Sequence, residues 1–197
     1  MKTKIISLTL AAVLTVTTVG AFAGSPEPRI RLAQMGDNVL HLYMDSLDQT
    51  AKFTIFDENR FALYEESSEQ LLDFKKRFDL SKLPEGSYTF EIEHGNKIRV
   101  YSFQVDEHVV KVSDEIKEVF SPTILFKDDL LGISLLNPDA KDVKIELFDY
   151  KGNELISDMH QEKQNVAVRY NLTQLPMGTY TLIVKTNNRT YLKDLVL

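Results

Sequence analysis

Leu80-Ser81-Lys82-Leu83-Pro84-Glu85-Gly86-Ser87-Tyr88 returns later in the chain as Leu172-Thr173-Gln174-Leu175-Pro176-Met177-Gly178-Thr179-Tyr180. The shared pattern is Leu-x-x-Leu-Pro-x-Gly-x-Tyr, and each position moves by 92 (172 − 80). Pro84 and Pro176 fix φ and withhold a backbone donor where a chain leaves a sheet. Gly86 and Gly178 allow the bend into the next strand. Leu80, Leu83, Leu172 and Leu175 would close one end of a core. Tyr88 and Tyr180 would bury their rings and return their hydroxyls to the backbone upstream, a corner that recurs in two-sheet sandwiches. These residues read as a structural corner, not as a ligand site.

The same shift extends in both directions. It carries Phe56-Asp57 onto Phe148-Asp149, Leu63 onto Leu155, Arg77 onto Arg169 and Val105 onto Leu197. A period this long is a whole domain, not a solenoid unit. Within each copy the apolar residues alternate, as a half-buried antiparallel strand requires. Phe53 and Ile55 answer to Ile145 and Leu147, while Tyr88, Phe90 and Ile92 answer to Tyr180, Leu182 and Val184. His94-Gly95-Asn96-Lys97 and Thr186-Asn187-Asn188-Arg189 suit two-residue hairpins, whose central pair takes positive φ. Tyr150-Lys151-Gly152-Asn153 closes a further hairpin. Its counterpart Glu58-Asn59-Arg60-Phe61 lacks the glycine, which predicts a slightly different turn. In the last strand of each copy the apolar phase changes, from Ile98/Val100 to Phe103/Val105 and from Thr190/Leu192 to Leu195/Leu197, which predicts a β-bulge. Upstream the shift becomes 91 (128 − 37), so one residue is gained near Asn137-Pro138-Asp139.

The resulting expectation is an all-β chain of two tandem immunoglobulin-like or fibronectin type III-like antiparallel sandwiches, at residues 24–112 and 122–197. Residues 113–121 between them read as a short connector, with Ser113 placed to cap one helical turn. The segment lacks the composition of a flexible linker.

Residues 1–23 read as a cleaved signal peptide: Lys2 and Lys4, an apolar run from Ile5 to Val19, and a small-x-small site ending at Ala23. The 197-residue chain has no cysteine, which excludes disulfides, thiolate metal sites, cysteine nucleophiles and a lipidated cysteine anchor. An exported chain that is not a lipoprotein is expected, in the periplasm, on the cell surface or outside the cell. A net charge of −6 with scattered basic residues argues against a nucleic-acid surface. The one basic cluster, Lys75-Lys76-Arg77, lies in a strand and reads as a solvated face.

The second copy resembles the C-terminal sorting domains of the Bacteroidetes type IX secretion system. The resemblance rests on Ile145-Glu146-Leu147-Phe148-Asp149-Tyr150-Lys151-Gly152, on Asn171 through Tyr180, and on Thr190 through Leu197. It implies an immunoglobulin-like sandwich that directs export across the outer membrane, with the type IX machinery as its partner. Residues 53–105 carry the same motif internally, where no C-terminal signal would work, so the motif itself reports the fold in at least one copy.

Catalytic and cofactor signals are missing from the sequence. His41, His94, His108 and His160 form no ligand pair at metal spacing. Asp57-Glu58, Glu65-Glu66, Asp106-Glu107 and Asp128-Asp129 fall in or beside turns, and no calcium-loop spacing supports them. Neither a phosphate loop nor a nucleophile elbow is present. Tyr43, Tyr64, Tyr101 and Tyr191 read as strand positions rather than a sugar platform. Asp45-Ser46-Leu47 resembles a short O-glycosylation acceptor of that phylum, though a plain loop is the default reading. The expected protein is therefore a non-enzymatic envelope or extracellular module that binds an unidentified protein or glycan, with no cofactor and no metal. The alternative is a small passenger exported by its second domain. Self-association through edge strands stays open.

Overall fold

The structure is a computed structural model that describes residues 28–45, 47, 49–68, 73–107, 109–186 and 189–197. The signal reading through Ala23, the acceptor serine Ser46, His108 and the Asn187-Asn188 pair lie outside the described residues.

The described residues form strands and no helix. The first eight are β1 (Arg29–Gln34), β2 (Val39–Asp45), β3 (Ala51–Phe56), β4 (Ala62–Ser67), β5 (Asp73–Asp79), β6 (Gly86–His94), β7 (Lys97–Asp106) and β8 (Val109–Phe120). The remainder are β9 (Thr123–Lys127), β10 (Leu130–Leu136), β11 (Val143–Asp149), β12 (Glu154–His160), β13 (Asn165–Asn171), β14 (Thr179–Thr186) and β15 (Arg189–Val196). Sheet β1-β2-β5 packs on sheet β4-β3-β6-β7-β8, and sheet β9-β10-β13 packs on sheet β12-β11-β14-β15. Apart from β8, the second pair of sheets repeats the strand order of the first. This three-on-four antiparallel sandwich is immunoglobulin-like and fibronectin type III-like.

The cores lie where the alternation points. Leu40, Leu42 and Met44 of β2 meet Phe53, Phe90, Ile92 and Phe103 across the first sandwich. Leu131, Ile133 and Leu135 of β10 meet Ile145, Leu147, Leu182 and Val184 across the second. The first core is aromatic: Phe78 sits edge-on to Phe90 at 5.0 Å and to Phe53 at 6.1 Å, and Tyr88 stacks on Phe103 at 5.3 Å. The second is largely aliphatic.

Three expectations are corrected. The connector at 113–121, with its helical turn, is instead the second half of β8. That strand pairs with β7 from Asp106↔Val109 to Lys97↔Phe120, with a bulge opposite the Tyr101–Phe103 step. Ser113 Oγ does accept a hydrogen bond from the Glu115 N–H at 3.2 Å, as a cap would, but inside the bulge. An open edge on β7 supplies more backbone hydrogen bonds than one helical turn, and so overrides the local preference.

The bulge expected in the last strand of each copy is not found where that strand meets its inner neighbour: β6–β7 and β14–β15 pair in unbroken register, and the irregularity at Tyr101–Phe103 belongs to the β7–β8 pairing of the first copy. In the first copy the phase change has another origin, because Val100 turns outward into a cleft shared with the second sandwich, whereas the equivalent Leu192 of the second copy is simply exposed. A shared bulge does exist, one hairpin earlier. It shifts the register between Ile55 and Phe56 and between Leu147 and Phe148, and it leaves Leu63 and Leu155 exposed as the extra residues.

Finally, the turns at Asp57 and Asp149 are the same turn. Asp57 Oδ1 accepts from the N–H groups of Asn59 and Phe61, both at 2.9 Å, and Asp149 Oδ1 accepts from Lys151 and Asn153 at 2.8 and 2.9 Å. Arg60 takes φ 67° where Gly152 takes φ 81°. A non-glycine residue in that region bears a cost of about 1 kcal/mol, so something must hold Arg60 there.

The cleft between the two sandwiches as candidate site

The repeated motif forms two matching corners. The Tyr88 hydroxyl donates to the Pro84 carbonyl at 2.7 Å, and Tyr180 donates to Pro176 at 2.6 Å. Leu80 and Leu172 are buried, and Leu83 and Leu175 pack on the cores from the rim. A Cβ on Gly86 or Gly178 would lie 3.7 or 3.9 Å from the ring of Tyr88 or Tyr180. Gly178 also closes β14 on β15 through paired hydrogen bonds with Leu197, at 3.3 and 3.1 Å. The hydrogen bonds of Tyr88 and Tyr180 thus stay within their own sandwiches.

Of the acidic pairs, Glu65 and Glu66 lie inside β4 rather than beside a turn, and they pair with Lys52 and Lys76. Asp128 and Asp129 both take positive φ, 51° and 58°, and form the two-residue hairpin between Lys127 and Leu130. The described residues contain no group of three His, Cys, Asp or Glu able to hold a metal ion. His41 bonds the Tyr43 hydroxyl at 3.1 Å, and His160 lies 3.3 Å from Asp158. Tyr101 is buried in the first core, and Tyr43, Tyr64 and Tyr191 are half-buried.

The positions where the two copies differ behave otherwise, because they converge. Glu91 stands where the second copy has Ile183, Arg60 where it has Gly152, and Arg189 where the first copy has Lys97. Glu91 Oε1 accepts from Arg60 Nη1 and from Arg189 Nη2, both at 2.6 Å. The Glu91 side chain is only 7% exposed. Arg60 reaches it from the strained turn, with its guanidinium 4.3 Å above the Phe56 ring. Arg189 reaches it from the other sandwich, at the start of β15. The strain at Arg60 thus coincides with an ion triad that holds the side chain in place. Burial pushes the Glu91 carboxyl up, but the hydrogen bonds from Arg189 and Arg60 outweigh it and keep the group below the usual carboxylate range.

Two further bonds fasten the same junction. Ser121 N–H donates to the Asn96 carbonyl at 2.9 Å, and the Tyr191 hydroxyl donates to the Phe120 carbonyl at 3.4 Å. Around the triad lies a cleft of about 510 Å³. Val100 of β7 with Lys117 and Val119 of β8 form one wall, and Asn137, Asp139 and Lys141 form another. The second wall is the loop in which the repeat gained a residue. Asn137 anchors that loop, donating through Nδ2 to the carbonyls of Lys141 and Lys163 at 2.6 and 2.7 Å.

Sequence reading missed Arg60, Glu91 and Arg189. The available signal was a difference of charge between equivalent positions, which a search for shared motifs discards. The second buried carboxylate shows the contrast. Glu146 is held within one sandwich by Lys144 at 2.5 Å and Lys185 at 2.7 Å, and the hydrogen bond from Lys144, then that from Lys185, holds its carboxyl below the usual range.

Comparison with known proteins separates the two copies. Residues 127–197 match the secretion system C-terminal sorting domain family, which is the type IX sorting domain. The match covers the second sandwich from the end of β9 onward and does not extend to the first. No curated protein matches the chain. Among solved structures, the BSP domain of a biofilm-associated protein aligns at 16% identity and TM-score 0.30, over 87% of this chain and 29% of that one. A two-domain fibronectin type III segment of chicken tenascin aligns at 12% identity and TM-score 0.28, over 86% of this chain and 99% of that one. The human OSCAR ligand-binding domain aligns at 12% identity and TM-score 0.25, over 88% and 99% respectively.

Proposed function

We propose that the second sandwich directs export of the chain and that the first sandwich is its passenger. The observation that carries this reading is the sorting-domain match at residues 127–197, because a domain of that family implies an exported protein. On this reading the mature protein reaches the cell surface or the medium, the type IX machinery is the partner of the second sandwich, and neither sandwich is an enzyme.

A difference between the copies supports the reading and a docking surface on the second sandwich. Tyr150, Met177 and Val196 are 76%, 91% and 72% exposed. The equivalent positions in the first copy are Glu58, Glu85 and Gln104. All three lie at one end of sheet β12-β11-β14-β15: the turn after β11, the corner before β14, and the last residue of β15 opposite Thr179. The second sandwich therefore shows an apolar end where the first is polar, and exposed apolar clusters mark interaction surfaces.

Deletion of residues 122–197 should leave the first sandwich inside the outer membrane of a type IX-competent cell. A truncated chain that still reached the surface or medium would remove the export role. The triple change Tyr150→Glu, Met177→Glu, Val196→Gln gives the second sandwich the first one's end. It should block export while leaving the circular dichroism spectrum unchanged. Normal export of that folded variant would move the docking surface elsewhere.

A second reading treats the pair of sandwiches as a binding module for an envelope or extracellular protein or glycan, and the junction cleft favours it. Pull-down with the mature chain against envelope and extracellular fractions tests it. Recovery of no partner protein or glycan, with the cleft residues intact, counts against it.

A further inference from the structure

We infer that the cleft between the sandwiches binds a small oxyanion, a single carboxylate or phosphate carried on a body the size of one or two sugar rings. Two guanidiniums converge on one carboxylate oxygen of Glu91, itself only 7% exposed, and leave a net positive charge beside it. Lys117 and Lys141 add two ammonium groups, against one further carboxylate from Asp139. Lys117 lies 3.8 Å from Glu115, whereas Lys141 has no ion-pair partner among the described residues. The cleft thus bears four cationic and two anionic side chains in a chain whose net charge is −6. A charge excess of that sign, concentrated between low-dielectric walls, raises the local concentration of anions. Guanidinium groups suit carboxylate and phosphate because their fork of N–H donors matches two oxygens.

The size and the walls restrict the ligand further. A volume of about 510 Å³ falls in the range of small-molecule sites. Val100 and Val119 offer an apolar surface beside the charged groups, which suits a ring more than a bare ion. The proposal is independent of the export reading, since it concerns residues of both sandwiches at their junction and would hold for a chain exported by any route.

Titration of the whole chain, followed by isothermal calorimetry and by backbone amide shifts, uses four probes: glucuronate, glucose 6-phosphate, inorganic phosphate and glucose. Saturable binding of glucuronate or glucose 6-phosphate, with shifts at Arg189 and Lys141 and none for glucose, is expected. The stronger of those two identifies the carboxylate or the phosphate source, and weaker inorganic phosphate shows that the apolar wall contributes. Lys141→Ala lies in an exposed loop and should weaken the anion about fivefold. Arg189→Ala should weaken it by more than tenfold. Absence of saturable binding by every anion, equal binding of glucose, or unchanged affinity in Lys141→Ala would overturn the proposal.

Discussion

The two sandwiches share a strand order, a corner and a turn, and they differ in what surrounds them. In the first, the outer edge of β7 is covered by β8, whereas among the described residues no eighth strand lies beside β15. The outer face of β7 looks onto the second sandwich, so Val100 is half-buried while its equivalent Leu192 is 67% exposed. One end of the first sandwich carries carboxylates and an amide where the second carries Tyr150, Met177 and Val196. The comparison teaches that the repeat encodes a frame. Functions that belong to one copy are sought at the positions where the frame is decorated differently.

The largest effect is expected in the cores. Phe90→Ala removes a fully buried ring that packs edge-on to Phe78 at 5.0 Å and should destabilise the first sandwich by about 4 kcal/mol. The equivalent Leu182→Ala should cost the second sandwich about 3 kcal/mol. If the sandwiches fold as separate units, urea unfolding followed by amide exchange will show each change lowering the midpoint of its own copy. A single transition shifted by both changes would break the comparison and make the chain one cooperative unit.

A smaller effect is expected at the junction. Glu91→Gln leaves two guanidiniums without their counter-charge and should weaken the contact between sandwiches by about 2 kcal/mol. The Glu91 carboxyl is held below its ordinary range, so its folded pKa is depressed. Its contribution is therefore fully present above the unfolded value and is lost as pH falls through the lower folded one. Small-angle scattering of the native chain should report a more extended particle as the pH drops below the ordinary carboxylate range, while both cores remain folded. The Glu91→Gln variant should be extended already at neutral pH. A native chain whose dimensions do not change across that range would show that the triad does not hold the junction.

How much was legible follows from what each signal reports. Alternation at Phe53/Ile55 and Leu182/Val184 located the cores because burial of one face of a strand leaves period two in the sequence. The Tyr88 and Tyr180 corners were legible because each uses residues four apart, Pro84 and Pro176, that the motif itself contains. β8 was misread because Ser113-Asp114-Glu115 has local chemistry that fits either a cap or a bulge, and what decides between them is the open edge of the neighbouring β7, which the segment's own residues do not report. The supposed bulge in β7 was misread because Val100 is apolar for a reason lying outside its own sandwich. Glu91 was invisible for the same reason: its second guanidinium, on Arg189, comes from a strand 98 residues away.

The smallest effect concerns the strained turn, and it sharpens the comparison most. Arg60 and Gly152 occupy equivalent left-handed positions, at φ 67° and 81°. Gly152→Ala should cost about 1 kcal/mol from backbone strain alone, since a Cβ there meets nothing within 4 Å. Arg60→Gly removes the same strain but also one of the two donors to Glu91, so its net effect in the native chain should be near zero or destabilising. In the Glu91→Gln background the carboxylate is already gone, and Arg60→Gly should then stabilise the first sandwich by about 0.5–1 kcal/mol. A double-mutant cycle measures the sign change directly. If Arg60→Gly has the same effect in both backgrounds, the turn and the triad are independent, and the left-handed arginine has no tie to the junction.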